Sequence, residues 1–204
     1  MNRTAALSSI LVWFLVSALA STVAESGQAD GPGMTANMTD IRRKVLDLPY
    51  ASASSAQMLD IYLPDNGQGP FPVILQIHGG AFVEGDKRDS QLSPVLPAPD
   101  RGYAIVAMNY RLSGEAHFPA AIQNVKAALR WVRAHATTYR LDATRIAAWG
   151  DSAGAHLAVL AAVSAGVPSL SDERLGYLGL PLRVAAVSPF DSPVKGHQIV
   201  EAVT

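Results

Sequence analysis

The stretch Arg145–Leu160, Arg-Ile-Ala-Ala-Trp-Gly-Asp-Ser-Ala-Gly-Ala-His-Leu-Ala-Val-Leu, constrains the fold more than any other part of the chain. Ile146 to Trp149 form a short apolar run, Gly150-Asp151-Ser152-Ala153-Gly154 follows at once, and an Ala/Leu-rich segment of high helix propensity continues from there. The pattern predicts strand, sharp turn and helix, with Ser152 at the tip. Small residues are needed two positions before and after such a serine, because a side chain at Gly150 or Gly154 would strike neighbouring backbone. The same geometry puts the helix N-terminus under Ser152, where backbone N–H groups and the helix dipole favour developing negative charge. Taken alone, the five residues also fit a plain turn between strand and helix, so a second motif has to decide.

With 204 residues, 49% of them hydrophobic and 16% charged, the chain is long enough for one domain with a sizeable core. Its 16 basic and 17 acidic residues give a formal net charge of -1, which offers neither a nucleic-acid surface nor a basic membrane patch and points to a small neutral partner. Arg3 precedes an apolar run from Leu7 to Leu19, and Ala18-Leu19-Ala20 or Thr22-Val23-Ala24 supplies a small-x-small cleavage signal. Residues 1–24 are therefore expected to be a secretory signal peptide rather than a membrane anchor, because the run is shorter than the roughly 20 residues of a spanning helix. The mature chain is expected to be periplasmic or secreted. Cysteine is absent, so no disulfide can form and stability must come from the core.

Residues 25–40 are rich in Gly, Ser, Thr, Asn and Asp without apolar periodicity and are expected to form a flexible leader to a domain over 41–204. Arg42–Tyr50 and Gln57–Leu63 are candidate strands joined by a polar Ala/Ser stretch, which suggests an antiparallel hairpin. Phe71–Ile77 and Tyr103–Met108 are nearly continuous apolar runs, as expected of strands buried on both faces. Pro119 opens a long helix in which Ile122, Val125, Leu129 and Val132 recur at steps of three and four, with Lys126, Arg130 and Arg133 on the opposite side. The Ser152 helix is expected to stop near Ala165-Gly166, with Pro168 beyond, and Val184–Val187 forms a last strand. This alternation predicts an α/β fold with a mostly parallel sheet and helices on both faces.

The second motif is His78-Gly79-Gly80-Ala81-Phe82, directly after the Phe71–Ile77 strand. Glycines there let backbone N–H groups approach a substrate carbonyl oxygen without reorganisation, although a Gly-rich turn would use the same residues. The two motifs in this order, each at the end of a buried strand, decide for the chemical reading. The sequence resembles the α/β-hydrolase carboxylesterases, most closely the branch related to hormone-sensitive lipase, feruloyl esterases and acetyl-xylan esterases. The resemblance rests on Leu59-Asp60-Ile61-Tyr62-Leu63-Pro64, the His78 motif with Gly85-Asp86-Lys87, Asn109-Tyr110-Arg111-Leu112, Phe118-Pro119-Ala120-Ala121, Leu141-Asp142-Ala143-Thr144-Arg145-Ile146 and Gly150 to Ala158. It implies that Ser152 is the nucleophile and that the backbone N–H groups of Gly80, Ala81 and Ala153 form an oxyanion hole. Ala81 stands where many relatives have a third glycine, which is expected to narrow the loop and leave its backbone donor intact. Asn124 stands where relatives often carry an acidic residue, and is read as structural.

A serine needs a histidine to take its proton and a carboxylate to orient that histidine, and in this family they follow in the order Ser, Asp/Glu, His. Only 52 residues follow Ser152, and the chain reads as C-terminally truncated, with the last strands and their triad members missing. His156, one helical turn past Ser152, is expected to pack along the helix flank; His78 is expected to hold the oxyanion loop; His117 and His135 are read as surface or packing residues. Asp191 and His197 form a conceivable but strained acid and base. The reading is a secreted serine carboxylic-ester hydrolase acting through an acyl-serine, without metal or organic cofactor, on a small-molecule or glycan-linked ester. It would have little activity if the triad partners are lacking. The alternative is a non-catalytic hydrolase-fold binding protein or a truncated gene product.

Overall fold

The structure, a computed structural model, describes residues 35–190. The signal peptide read over residues 1–24, the first part of the leader, and Asp191 and His197 lie outside the described residues. The six described strands are β1 (Lys44–Pro49), β2 (Met58–Tyr62), β3 (Phe71–Ile77), β4 (Ala104–Met108), β5 (Leu141–Asp151) and β6 (Ala186–Phe190), and their order across the sheet is β1-β2-β4-β3-β5-β6. The expected hairpin is present: β1 pairs antiparallel with β2, and β2 with β4. From β4 onward the sheet is parallel, with β3 between β4 and β5 and β6 beside β5. The mostly parallel sheet follows from buried strands separated by long connections, since parallel neighbours cannot be joined by a tight turn.

Alternation along the strands divides the core in two. Val73, Leu75 and Ile77 of β3, with Ala104, Val106 and Met108 of β4, face one side and pack against Ile122, Val125 and Leu129 of α1 (Ala120–Ala134) and Leu157, Ala158 and Ala161 of α3 (Ala153–Val163). Ile74, Ile105, Ala107 and Trp149 face the other side and meet Leu92, Val95 and Ala98. Helical segments cover both faces as expected, but they differ in kind. The long helices share one face, and 3₁₀ turns at Ser90–Val95 and Pro99–Arg101 cover the other. A four-residue helix, α2 (Ala136–Tyr139), follows α1. Among the described residues no helix is long and apolar enough to cross a membrane.

Three local expectations are corrected. The charged side of α1 is not a solvent face: Lys126 is fully buried and donates to the Ser164 carbonyl at 2.6 Å, while Arg130 donates to the carbonyls of Gly176 (2.8 Å) and Asp172 (2.9 Å) and to the Ser171 hydroxyl (3.1 Å). These cations satisfy carbonyls in the following connection, and Lys126 also meets the negative end of the α3 dipole. Secondly, α3 ends at Val163 rather than at the expected glycine, because Ser164 caps it by donating both its N–H (3.1 Å) and its hydroxyl (2.5 Å) to the Leu160 carbonyl. Thirdly, the described part of the leader is docked: Ala36 is buried, its N–H reaches the Arg88 carbonyl at 2.8 Å, and the Met38 sulfur accepts from the Tyr62 hydroxyl at 2.8 Å.

Candidate active site

The C-terminal ends of β3 and β5 are adjacent, since Ile77 lies opposite Gly150, and the two motifs therefore meet. Ser152 ends the strand side of the turn and starts α3, with φ 48° and ψ −112°. This backbone region suits glycine, so a serine held there is strained by about 1–3 kcal/mol. The turn is tight for the anticipated reason. A Cβ on Gly154 would overlap the Ile77 carbonyl oxygen, and one on Gly150 would overlap the backbone of Gly154 itself. With both glycines in place Ser152 is exposed, while Ala153, Gly154 and Ala155 are buried beneath it.

The loop after β3 lies against this turn: a Cβ on Gly79 would sit 3.3 Å from the Ser152 Cβ and 2.7 Å from the Asp151 carbonyl oxygen. Three consecutive residues then take positive φ, Gly80 at 97°, Ala81 at 51° and Phe82 at 65°. Ala81 was expected to narrow the loop; its effect is instead conformational, because the residue is exposed and adopts a φ that glycine reaches more cheaply. The Gly80 carbonyl accepts from Val83 N–H (2.9 Å) and Glu84 N–H (3.1 Å), which closes the turn, and the Phe82 carbonyl accepts from Ser113 N–H at 2.7 Å. Gly80 and Ala81 thus follow directly on Gly79, which lies against Ser152, and Ala153 opens α3 at that serine. Among the described residues no acceptor takes the N–H of Gly80 or Ala81.

Several supporting residues had no assigned role in the sequence. Tyr110 stacks on His78 with ring centroids 4.4 Å apart, and its hydroxyl donates to the carbonyls of His78 (3.0 Å) and Gly79 (3.3 Å). Gln91 accepts the Gly79 N–H at 2.6 Å. Asn109 accepts the Lys87 N–H at 2.6 Å and donates to Asp86 at 2.7 Å, while its carbonyl accepts from the Tyr50 hydroxyl at 2.7 Å. Asn109 and Tyr110 lie in the quoted Asn-Tyr-Arg-Leu run, so the signal was present but not its meaning. Gln91 stands in no motif. Asn124 is structural as expected: fully buried, it accepts from the backbone N–H (2.9 Å) and side chain (3.2 Å) of Arg111.

Electrostatics anchors the outer end of this assembly. Asp60 on β2 is fully buried and takes Arg88 in a two-point pair at 2.6 and 3.0 Å, with Lys87 at 3.6 Å; Asp47 pairs with Lys87 at 2.8 Å and Arg88 at 2.7 Å. Hydrogen bonds from Arg88 and Lys87 hold the Asp47 carboxyl down to about 2. Removing either partner of such a buried pair would strand a charge, so the Lys87-Arg88 segment is fixed to β1 and β2.

The histidines fall into two groups. His78 is buried and its Nδ1 lies 2.8 Å from the Gly79 carbonyl, which places the ring to hold the loop; burial lowers its pKa below the ordinary histidine value. His156 is exposed on α3 with its ring edge-on to Phe82 at 5.9 Å, His117 is exposed, and His135 stacks on Trp131 at the end of α1. Among the described residues no histidine or carboxylate hydrogen-bonds the Ser152 hydroxyl, and no group of three or more His, Asp or Glu side chains is placed to hold a metal ion.

Known proteins are similar to this chain in sequence and fold. The chain is 32% identical over 182 residues to esterase LipQ of Mycobacterium tuberculosis, covering 88% of this chain and 42% of that one. It is 40% identical over 147 residues to the probable carboxylic ester hydrolase LipM of the same organism, covering 71% and 33%. Among solved structures it is similar to a truncated form of a carbohydrate esterase from gut microbiota, with a TM-score of 0.67, 32% identity, and 75% of this chain and 57% of that one covered. The chain thus spans less than half the length of these two curated relatives. Residues 59–194 match the BD-FAE family model, a span that holds both motifs and every parallel strand, and the chain belongs to that α/β-hydrolase family.

Proposed function

We propose that this protein is a carboxylic-ester hydrolase in which Ser152 is the nucleophile. The observation that carries the reading is the strained, exposed Ser152 beside the unclaimed N–H groups of Gly80 and Ala81, with Ala153 opening α3 beneath it. In the reaction the Ser152 Oγ adds to the ester carbonyl carbon as its proton passes to a base. The carbonyl oxygen takes up negative charge facing Gly80, Ala81 and Ala153. The C–O bond to the alcohol then breaks, the alcohol leaves with a proton, and water releases the acid from the acyl-serine. Preorganised donors at a helix start suit this charge because they need no rearrangement as it forms.

The substrate is a small or glycan-linked ester, a reading supported by the names of the relatives and by the near-neutral charge. Export through the signal peptide over residues 1–24 is part of the same proposal, and protein recovered outside the cytoplasm should begin at Ser21 or Glu25. Hydrolysis of p-nitrophenyl acetate by the full chain and by Ser152→Ala tests the reaction. A loss of about a thousandfold or more in the variant is expected. Equal rates would overturn the role of Ser152 and favour the reading as a non-catalytic binding protein.

A further inference from the structure

We propose that Gln91 is a positioning residue which sets the Gly79–Ala81 backbone against Ser152; this rests on the reading of Gly80 and Ala81 as oxyanion donors. Gln91 lies 12 residues beyond Gly79, in the 3₁₀ turn Ser90–Val95 on the opposite side of the sheet from α3. Its side-chain oxygen accepts the Gly79 N–H at 2.6 Å. The same oxygen lies 2.8 Å from where a Cβ on Gly79 would stand, a place also bordered by the Asp151 carbonyl and the Ser152 Cβ. Gln91 therefore reaches into the seam where the two motifs touch.

The orientation of the Gln91 amide is determined by its partners. A backbone N–H requires the oxygen, and the Nε2 group on the other side donates to the Asp89 carboxylate at 3.3 Å, so the reversed amide would place donor against donor and acceptor against acceptor. Asp89 also accepts the Gln91 backbone N–H at 2.9 Å and caps the turn, while Leu92 and Val95 pin that turn in the core. One residue earlier, Arg88 is locked to Asp60 and Asp47. Gln91 thus projects from a rigid base.

What this hold accomplishes follows from the hydrogen bonds around Gly79. With the Gly79 N–H taken by Gln91, and its carbonyl taken by His78 and Tyr110, both peptide planes at this residue are fixed. The next two N–H groups, of Gly80 and Ala81, have no acceptor among the described residues. Without Gln91 the peptide that leads into the Gly79–Ala81 backbone loses its hold, and that backbone is then anchored through its carbonyls only; a displacement near 1 Å at a reacting centre costs on the order of a hundredfold in rate.

Two readouts on the full-length chain test the proposal, with Gln91→Leu removing the acceptor and Gln91→Glu retaining one. In amide hydrogen exchange followed by NMR, the Gly79 N–H should be protected in the wild type and in Gln91→Glu and exposed in Gln91→Leu, with the Gly80 and Ala81 resonances shifted only in the latter. With p-nitrophenyl acetate, Gln91→Leu should lower kcat by about tenfold to a hundredfold with KM nearly unchanged and only a small drop in the unfolding midpoint, and Gln91→Glu, whose second oxygen meets the Asp89 carboxylate, should recover part of kcat. Unchanged Gly79 protection in Gln91→Leu, or a change in KM alone, overturns the proposal. If wild type and Ser152→Ala hydrolyse alike, the ester-hydrolase reading fails by itself, and the exchange data still decide: protection lost in Gln91→Leu upholds the hold on the loop, and protection kept overturns it.

Discussion

The two turns that meet at Ser152 are built on opposite principles. The turn after β5 is shaped by what is missing: Gly150 and Gly154 pack backbone on backbone, and any side chain there would overlap its neighbours. The loop after β3 is shaped by what is attached: Gln91, Tyr110, His78 and Ser113 hold its polar groups, and Gly80, Ala81 and Phe82 take positive φ in succession. The sterically determined turn depends on close backbone approach, at Gly150 within the turn itself and at Gly154 against Ile77 of β3. A loop determined by hydrogen bonds depends on residues up to 32 positions away, as with Tyr110 and His78. Both turns store strain at this site, one at Ser152 itself and the other at Ala81 and Phe82, since Gly80 takes its positive φ without cost.

This contrast is open to direct tests. Gly154→Ala should have the largest effect, destabilising the fold by about 3 kcal/mol or more, because its Cβ has nowhere to go against the Ile77 carbonyl and the central strand cannot yield. A denaturant midpoint close to wild type would mean that the turn tolerates what its geometry forbids. Tyr110→Phe keeps the ring stacked on His78 and deletes only the hydroxyl, so a loss of about 1 kcal/mol is expected by the same measurement. Because the loop is held by several bonds, it should loosen here without the fold collapsing.

The pH dependence of stability probes the loop alone. Burial keeps the folded-state pKa of His78 below 6.5, so between the two values the unfolded chain binds more protons than the folded one. The stabilisation is fully present above about pH 6.5 and is lost as pH falls through and below that value. Unfolding midpoints from about pH 7.5 to pH 5 should decline, and His78→Asn should flatten that decline. The smallest effect is expected at Gly166, where a Cβ meets nothing within 4 Å and φ is not positive: Gly166→Ala should stay within about 0.5 kcal/mol of wild type. A large loss at Gly166 would show that backbone freedom, rather than close approach, governs the glycines of this chain.

The same division explains what could be read from the amino-acid sequence. The hairpin, the mostly parallel sheet and the Ser152 turn were readable, because apolar runs and glycine spacing act locally and leave their mark in consecutive residues. The end of α3 was misplaced because Ser164 and a lysine 38 residues earlier replace the expected glycine. Lys126 and Arg130 looked like a solvated face because helical periodicity records which side faces the sheet, not what later covers the other side. Gln91 could not be found at all. A single glutamine in a polar connection carries no pattern, and its importance arises only when β3 and β5 bring the two turns together.

The central claim, that Ser152 is the reactive group at the meeting point of these turns, is tested most directly by covalent labelling. The full chain would be incubated with a p-nitrophenyl alkylphosphonate, which transfers its phosphonyl group to a nucleophilic serine and releases nitrophenol, and the adduct would be mapped by peptide mass spectrometry. The account predicts one adduct, on the peptide carrying Ser152, and none in Ser152→Ala. No adduct, an adduct on a different serine, or equal labelling of both proteins would contradict it.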